Sequence, residues 1–565
     1  MKMLDRLNLP EDIKKLSLDE LKVLSEDLRE VITEYTLKNG GHLASNLGVV
    51  DISCALSYVF DFPFDKIIFD VGHQCYAYKI LTGRLPQFAH LRQKGGLNGF
   101  PKREESKYDF ANSGHASTAL SIACGMARGG EKGEVICLIG DGAMTGGLFY
   151  EALNDVLTLN KKVIVIINDN DMSISGNVGF VNKYLHFVRL YGEDIPFVEA
   201  DILTNIDGHN IPDLVGKLKY AKNSKKTVVL HVVTKKGKGY KDAEDNPSKY
   251  HSISGEEKSQ ALSYGQVFGN KIVDLAQKND KIFAVTAAMT DGTGLCAFAQ
   301  KFPERFVDVG IAEEHAVTMS SGLSLSGNLP YVAIYSTFLQ RAYDNILHDI
   351  TLNNLPCVFC IDRAGFVGGD GETHQGLYDV AYLGSMPNMS IFMPKDGKEL
   401  EDVLEYSQNV NKPFAIRYPK SEISGKYNVH TPIEYGKWEY IKESGADTVL
   451  ISNGETLFSA VLAAERLEKQ GIKTDIINAR FIKPIDYETA DKIKDKKIFV
   501  FEEYIEDNSV YIQLLEYYNK LGVNAKLYGK NIQNNPYAVA TRDELLQMSG
   551  LDADGIAKFV FDNIK

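Results

Sequence analysis

The stretch from Val135 to Ser175 constrains this chain more than any other. VICLIGDGAMTGG is followed by FYEALNDVLTLN and then by KKVIVIINDNDMSIS. An apolar run, Val135 to Ile139, ends in Gly140, Asp141 and Gly142. A segment rich in Leu, Ala and Glu comes next, and a second Val/Ile run, Val163 to Ile167, ends in Asn168, Asp169 and Asn170. This pattern predicts a βαβ unit. Such crossovers are right-handed and join parallel strands, so both strand ends fall on one edge of the sheet, where open α/β folds bind ligands. Asp141 and Asn170 are thereby predicted to meet. One carboxylate, one side-chain amide and a nearby backbone carbonyl suit a small hard cation that keeps coordination positions for phosphate oxygens. The glycines beside Asp141 let the backbone come close to those phosphates. A lone GDG is more often a plain strand-to-helix turn; the Asn-terminated second strand turns the balance toward a site.

The rest of the chain sets bounds. Its 565 residues suffice for roughly three or four domains at about 150 residues each. A net charge of −13 offers no global field for nucleic acid or an anionic membrane, so a phosphorylated substrate must be held by local Arg, Lys and His. The N-terminal stretch MKMLDRLNLPEDIKKLSLDEL has no apolar core, which argues against a signal peptide. No run of about 18 apolar residues follows, and a cytoplasmic protein is expected. The seven cysteines are odd in number and scattered, which argues against a disulfide framework. Cys357 and Cys360 lie in an apolar strand where positions three apart face opposite sides, so zinc is not expected there. Cys75 reads as a small packing residue, with a reactive thiol as the alternative.

Taken in order, residues 18 to 39 predict a helix leading into GGHLASNLG. That stretch reads as a Gly-bounded loop at a helix entrance and carries His42 and Ser45. KIIFDVGHQCYAYKILTGR places His73 after a short strand. NSGHASTALSIACGMARG places His115 at the start of a helix, where the amides near Ala116 suit an anion. Each histidine alone could be structural; three Gly-His pairs at element ends around one sheet edge favour a site. After Met172 the chain reads as irregular. HVVTKKGKGYKDAEDNPSKYHSI then supplies a strand, a basic Gly-rich turn with Lys236, and His251. A boundary near residue 260 opens a second α/β pattern, and a third begins at ADTVLISNGETLF. The expected plan is three α/β domains, 1–260, 261–435 and 436–565, the first two doubly wound parallel sheets and the last smaller.

The motifs GGHLASNLG, DVGHQCYAYKILTGR, GDGAMTGG with NDNDMSIS, KKGKGY, AAMTDGTGL, GIAEEHAV, YSTFLQRAYD, IDRAG, DGETHQG and RYP occur in collinear order from about residue 40 to 420. Together they resemble the 1-deoxy-D-xylulose-5-phosphate synthase family. The resemblance implies a transferase that condenses pyruvate with D-glyceraldehyde 3-phosphate on thiamin diphosphate and Mg2+, releases CO2, and feeds isoprenoid, thiamin and pyridoxal synthesis. It also implies a homodimer, with the cofactor held between the first two domains. Asp141, Asn170 and the Met172 carbonyl would hold the metal. Ser45, His73, His115, Ala116, Gly142, Ala143, Asn170 and Lys236 would hold the diphosphate half of the cofactor. Glu313 would bond the aminopyrimidine and so promote loss of the C2 proton, with Phe338 stacked on that ring. His42, His73, His251 and His374, with Asp370 beside them, would line the reacting centre. Tyr335, Arg341, Arg363 and Arg417 would bind the acceptor, since guanidinium forks suit a terminal phosphate. Glu314 is an alternative to Glu313, and Arg363 could be an ordinary ion-pair partner.

Two departures from the family pattern stand out. Between Val178 and Asp207 the chain is a few dozen residues shorter than is usual, by a natural loop or a truncation. The third domain, with EEYIEDNSVYIQLL, lacks the Gly-rich stretch that follows the corresponding signature. Two rival functions remain. A sugar transketolase shares the Gly-His pairs, GDG, the glutamate and DGxTHQ, but not YSTFLQRAYD or IDRAG. A non-catalytic cofactor-binding paralogue would not need Asp141, Asn170 and Glu313 intact.

Overall fold

A computed structural model describes residues 2–156, 159, 161–172, 179–191, 200–253, 262–423, 427 and 429–564. The boundary expected near residue 260 lies outside these, as do Val178 and 192–199 of the short segment. Two compact units form. The first comprises Met1–Ser259 with Gly310–Ala312 and Gly369–Thr373; the second takes Gln260–Val309, Glu313–Gly368 and His374–Lys565.

The first unit is built on one parallel sheet of β1 (Lys66–Phe69), β2 (Val135–Gly140), β3 (Ile164–Asp169), β4 (Asp201–Asp207) and β5 (Val228–Val233), in the order β1-β2-β3-β5-β4. Its strands read as continuous apolar runs because both faces are covered. Ile136, Leu138, Ile164, Ile166, Val228 and Leu230 enter a core with the helices Leu18–Asn39, Val50–Val59 and Ile211–Asn223. The alternate residues Val135, Cys137, Ile139, Val165 and Ile167 enter another with Ala119–Arg128 and Gly147–Val156.

The predicted βαβ unit is present as β2, the helix Gly147–Val156 and β3. Two local readings are corrected. GGHLASNLG is not a loop: Leu43–Gly48 is a helix with His42 at its N-cap. At six residues it is too short to show a helical period, and burial of all six stabilises it instead. The chain after Met172 is not irregular throughout, since Gly179–Tyr191 is helical and β4 follows. β4 was obscured because DILTNID is polar and carries a register shift between Leu203 and Ile206.

The second unit holds two sheets. Six parallel strands, β6 (Ile282–Thr286), β7 (Phe306–Asp308), β8 (Leu329–Tyr335), β9 (Val358–Asp362), β10 (Ser390–Phe392) and β11 (Phe414–Arg417), form one. The other comprises β12 (Glu439–Lys442), β13 (Thr448–Ser452), β14 (Thr474–Asn478), β16 (Lys497–Ile505) and β17 (Lys526–Ile532), with only β12 antiparallel. β15 (Phe481–Lys483) leaves the last sheet's stretch of chain to pair antiparallel with β10. Among the described residues no helix is long and apolar enough to cross a membrane. All seven cysteines are free, with Cys75, Cys357 and Cys360 buried; burial lifts the Cys75 thiol to about 12, which suits packing and not reactivity.

Candidate functional site

In the first unit the carboxyl ends of β1, β2, β3 and β5 lead directly into His73, Asp141, Asn170 and Lys236. Asp141 and Asn170 meet as expected: Oδ2 of Asp141 accepts the Asn170 amide at 3.0 Å, and Oδ1 accepts the Gly142 amide at 3.0 Å. Asp141 is buried, and that burial, with the Asp169 carboxylate close by, pushes its pKa upward, while Lys236 pulls it down. Oδ1 of Asn170 is buried with no hydrogen-bond partner. A buried carboxylate beside an orphaned amide oxygen is a pair of hard oxygen donors of the kind a small cation takes. Asp171, at φ +64°, then turns the chain at Met172. No group of three or more His, Cys, Asp or Glu side chains suited to a metal occurs among the described residues, so any ion here would rest on the Asp, Asn and carbonyl oxygens. Gly142 and Ala143 lie in the single turn Asp141–Thr145, where the Ala143 carbonyl accepts from Ser117 Oγ at 2.6 Å.

Three imidazoles cluster above this edge. The ring centroids of His42, His73 and His251 lie 5.3 to 5.6 Å apart, and Phe100 meets His42 at 5.4 Å. Burial, aided by Lys236, lowers His73 to about 3 and takes His251 well below its ordinary range, so both are neutral at pH 7. Burial likewise lowers Lys236 to about 8. Nδ1 of His73 has no partner, and Ser45 Oγ lies 3.3 Å from Nδ1 of His251. His115 donates from Nε2 to the Thr373 carbonyl at 3.0 Å. The helix start beside Ala116 is partly capped already, because Asp70 accepts the amides of Ser117 and Ala119 at 2.8 and 3.0 Å.

Sequence reasoning missed several residues of this edge. Asn46 donates to the carbonyls of His42 (2.6 Å) and His73 (2.7 Å) and accepts the Tyr76 amide at 2.8 Å, fixing two histidine loops at once. Arg92 pairs with Asp370 at 2.6 Å and donates to the Gly369 carbonyl at 3.0 Å. His231, fully buried, bonds Asp169 at 2.9 Å. Asn46 stood inside a quoted motif, but a side chain that serves only backbone groups has no chemical signature; His231 stood in a stretch read only as a strand, and Arg92 in no motif at all.

In the second unit Glu313 opens the helix Glu313–Leu325 and is buried. Burial raises its carboxyl to about 7 against the opposing pull of Arg341. Its Oε2 makes no hydrogen bond, the Arg341 guanidinium standing 3.7 Å away. Tyr335, at the end of β8, stacks on Phe338 with centroids 5.6 Å apart, and Phe338 meets His374 edge-on at 5.6 Å. The Arg363 guanidinium lies over the Tyr335 ring at 3.5 Å and donates to the Gly292 carbonyl at 3.2 Å and to Asp362 at 3.3 Å. Arg417 differs. It is fully buried, forks onto both oxygens of Asp379 at 2.9 and 3.1 Å, and uses Nη1 on Met393 Sδ and Nη2 on the Gly376 carbonyl. The structure thus gathers Glu313 with Arg341, and Arg363, Tyr335, Phe338 and His374 in one run of ring contacts, and sets Arg417 apart in an ion pair.

The family models that match this chain put it among the transketolase-type enzymes. Three family models match in order: 1-deoxy-D-xylulose-5-phosphate synthase over residues 4–200, transketolase pyrimidine binding domain over 260–426, and transketolase C-terminal domain over 436–556. The 1-deoxy-D-xylulose-5-phosphate synthase of Clostridium perfringens (strain 13 / Type A) is 45% identical, with 98% of each chain covered. That of Clostridium tetani is 44% identical, covering 99% of each, and that of Carboxydothermus hydrogenoformans 43%, covering 97% of each. The chain belongs to the 1-deoxy-D-xylulose-5-phosphate synthase family. The alignment with the C. perfringens protein spans 612 positions against the 565 residues of this chain, so the relative carries segments that this chain lacks. Among solved structures, the transketolase of Campylobacter jejuni is 18% identical with a TM-score of 0.48, covering 97% of this chain and 100% of that one.

Proposed function

We propose that the chain condenses pyruvate with D-glyceraldehyde 3-phosphate to give 1-deoxy-D-xylulose 5-phosphate and CO2. The observation that carries this reading is the match over nearly the whole chain to 1-deoxy-D-xylulose-5-phosphate synthases, and the buried Glu313 carboxyl, raised to about 7 with Oε2 unbonded, supports the chemistry. A carboxyl that keeps its proton near neutrality can donate it to a ring nitrogen, and thiamin diphosphate offers such a nitrogen on its aminopyrimidine. When bound, that cofactor supplies the carbon nucleophile that decarboxylates pyruvate and passes a two-carbon unit to the aldehyde.

The residues of the chain fit the group. Asp141, Asn170 and the Met172 carbonyl would offer Mg2+ three oxygens, one of them the Asn170 Oδ1 that has no partner in the protein. Lys236, Ser45, His73, His115 and the backbone of Ala116, Gly142 and Ala143 offer donors to phosphate oxygens. Phe338 offers a flat face to the pyrimidine. His42, His73 and His251 hydrogen-bond the small keto acid, His73 and His251 in neutral form, which leaves each able to take a proton as well as give one, and His374 lines the reacting centre where the acceptor arrives. Tyr335, Arg341 and Arg363 take the acceptor. Arg417 and Asp370 act through the neighbours they hold. The homodimer, the cytoplasmic setting and the domain limits 1–260, 261–435 and 436–565 complete the proposal, with no role for nucleic acid.

With thiamin diphosphate and Mg2+ present, CO2 release from pyruvate should accompany formation of a five-carbon 1-deoxyketose phosphate when glyceraldehyde 3-phosphate is supplied. Xylulose 5-phosphate and ribose 5-phosphate should give little product. Two-carbon transfer between sugars without pyruvate turnover would overturn the reading in favour of a transketolase, and cofactor binding with neither activity would leave a non-catalytic paralogue.

A further inference from the structure

The acidic motif EEYIEDN at the end of β16 has no part in the function so far. Glu503 is buried, and its carboxylate faces the turn of chain that follows Arg363. Oε1 accepts the Phe366 amide at 2.9 Å. The approach is close enough that a Cβ on Gly365, at φ +82°, would stand 2.7 Å from the same oxygen. Arg542 donates to Oε2 of Glu503 and reaches Glu455 at 3.1 Å, so the glutamate is fixed from behind.

The same part of the chain grips this segment at further points. Phe366 and Leu377 are buried in one cluster with Leu450, Phe499 and Phe501 of the last sheet, and Phe366 meets Tyr537 at 5.0 Å. Ile505 donates its amide to the Leu377 carbonyl at 3.2 Å. Between these anchors the chain closes on itself: Gly365 and Gly376 exchange amide–carbonyl bonds of 2.7 and 2.9 Å, and the Val367 amide donates to Gln375 Oε1 at 2.8 Å. Arg363 precedes one arm of this hairpin, and His374 lies on the other.

We propose that Glu503, held by Arg542, is a positioning residue for the acceptor: it fixes the base of the hairpin that aims Arg363 and His374. This rests on the proposed function, because it needs those two residues to touch the acceptor. It gives the last sheet a task in specificity that no chemical group of its own would reveal. Gly365 belongs to the same device, since only a residue without Cβ lets the backbone reach the carboxylate at this φ.

The test uses the holoenzyme carrying Glu503→Ala or Glu503→Gln. KM is measured separately for glyceraldehyde 3-phosphate and pyruvate, and hydrogen exchange by mass spectrometry is followed in peptides spanning 363–377 and 135–170. Glu503→Ala should raise the KM for glyceraldehyde 3-phosphate about tenfold, leave that for pyruvate within about twofold, and speed exchange only in 363–377. Glu503→Gln keeps an acceptor for the Phe366 amide but loses the charge opposite Arg542, and should fall between. It serves as the folded variant if the alanine chain is unstable. Two KM values rising together, or unchanged exchange in 363–377, would overturn the proposal. A wild-type chain that forms no deoxyketose phosphate would overturn the proposed function instead, and the exchange measurement would still decide whether Glu503 holds the hairpin.

Discussion

Motif residues at the ends of parallel strands, a pair in one unit and an arginine in the other, differ in what the fold leaves them to do. Asp141 and Asn170 follow the ends of parallel strands, and Oδ1 of Asn170 is buried without any partner. Arg417 ends a parallel strand too, yet every guanidinium nitrogen is occupied, two of them by Asp379. A buried polar atom without a partner costs free energy, which a bound group that completed the bond would offset. A buried pair that satisfies itself asks for nothing further. At these two strand ends the unsatisfied oxygen makes a distinction that residue type does not.

The largest test of that contrast is at the unsatisfied pair. Asp141→Ala or Asn170→Ala should abolish retention of Mg2+ and thiamin diphosphate, read by calorimetry, while Asp141→Asn should leave the cofactor-free protein at least as stable, because it removes a buried charge facing Asp169. Unchanged cofactor affinity in both alanine variants would remove the metal assignment. Arg417→Ala should do the reverse. It strands the Asp379 carboxylate in the core, which costs about 3–5 kcal/mol of stability measured by denaturant unfolding, whether or not cofactor is present. A stable Arg417→Ala protein with selectively weakened acceptor binding would return Arg417 to the phosphate.

Glu313 sharpens the comparison through pH. Its folded pKa of about 7 lies above the ordinary 4.5, so the folded state holds the proton more tightly and stability falls as pH rises between the two values. Above about pH 7 the loss levels off at about 3 kcal/mol. Glu313→Gln removes that dependence, and the cofactor-free variant should exceed the wild type by up to this amount at pH 8 and by nothing near pH 4.5. The same variant should lose C2 proton exchange on bound cofactor. Parallel stability curves for the two proteins would show that Glu313 ionises freely, and near-normal C2 exchange would pass its role to Glu314.

Much of this was legible in the sequence. The βαβ unit was readable because apolar runs of strand length flank a helical segment, and strands buried on both faces have to be apolar throughout. The meeting of Asp141 and Asn170 followed from parallel strands alone. The helix Leu43–Gly48 was not readable, since its stability comes from burial and not from a period. Arg417 and Arg363 were indistinguishable, because each sits at the end of an apolar strand and only the partner separates them: Asp379 lies far from Arg417 in sequence. Asn46, Arg92 and Glu503 escaped for a related reason, since they hold backbone or a distant charge, and such work leaves no local pattern.

The smallest effect concerns Arg363, the arginine that is not self-satisfied. Its side chain is 20% exposed, its Nη1 makes two bonds of 3.2 and 3.3 Å, and its plane lies on Tyr335. On the proposed reading its remaining donors go to a terminal phosphate, and the contact with the ring holds the guanidinium at a strand end whose φ of +58° turns the side chain from the sheet direction. A charge-assisted contact of this kind contributes roughly 1.5 to 3 kcal/mol, about ten- to a hundredfold in affinity. Arg363→Ala should therefore weaken glyceraldehyde 3-phosphate by that factor while barely changing unphosphorylated glyceraldehyde. Arg363→Lys, which keeps the charge but not the fork, should recover part of the difference. The ratio between the two aldehydes is the deciding number, because any loss from altered folding or cofactor binding divides out of it. Equal losses with both aldehydes would take the phosphate from Arg363 and leave it, like Arg417, a residue that serves its neighbours.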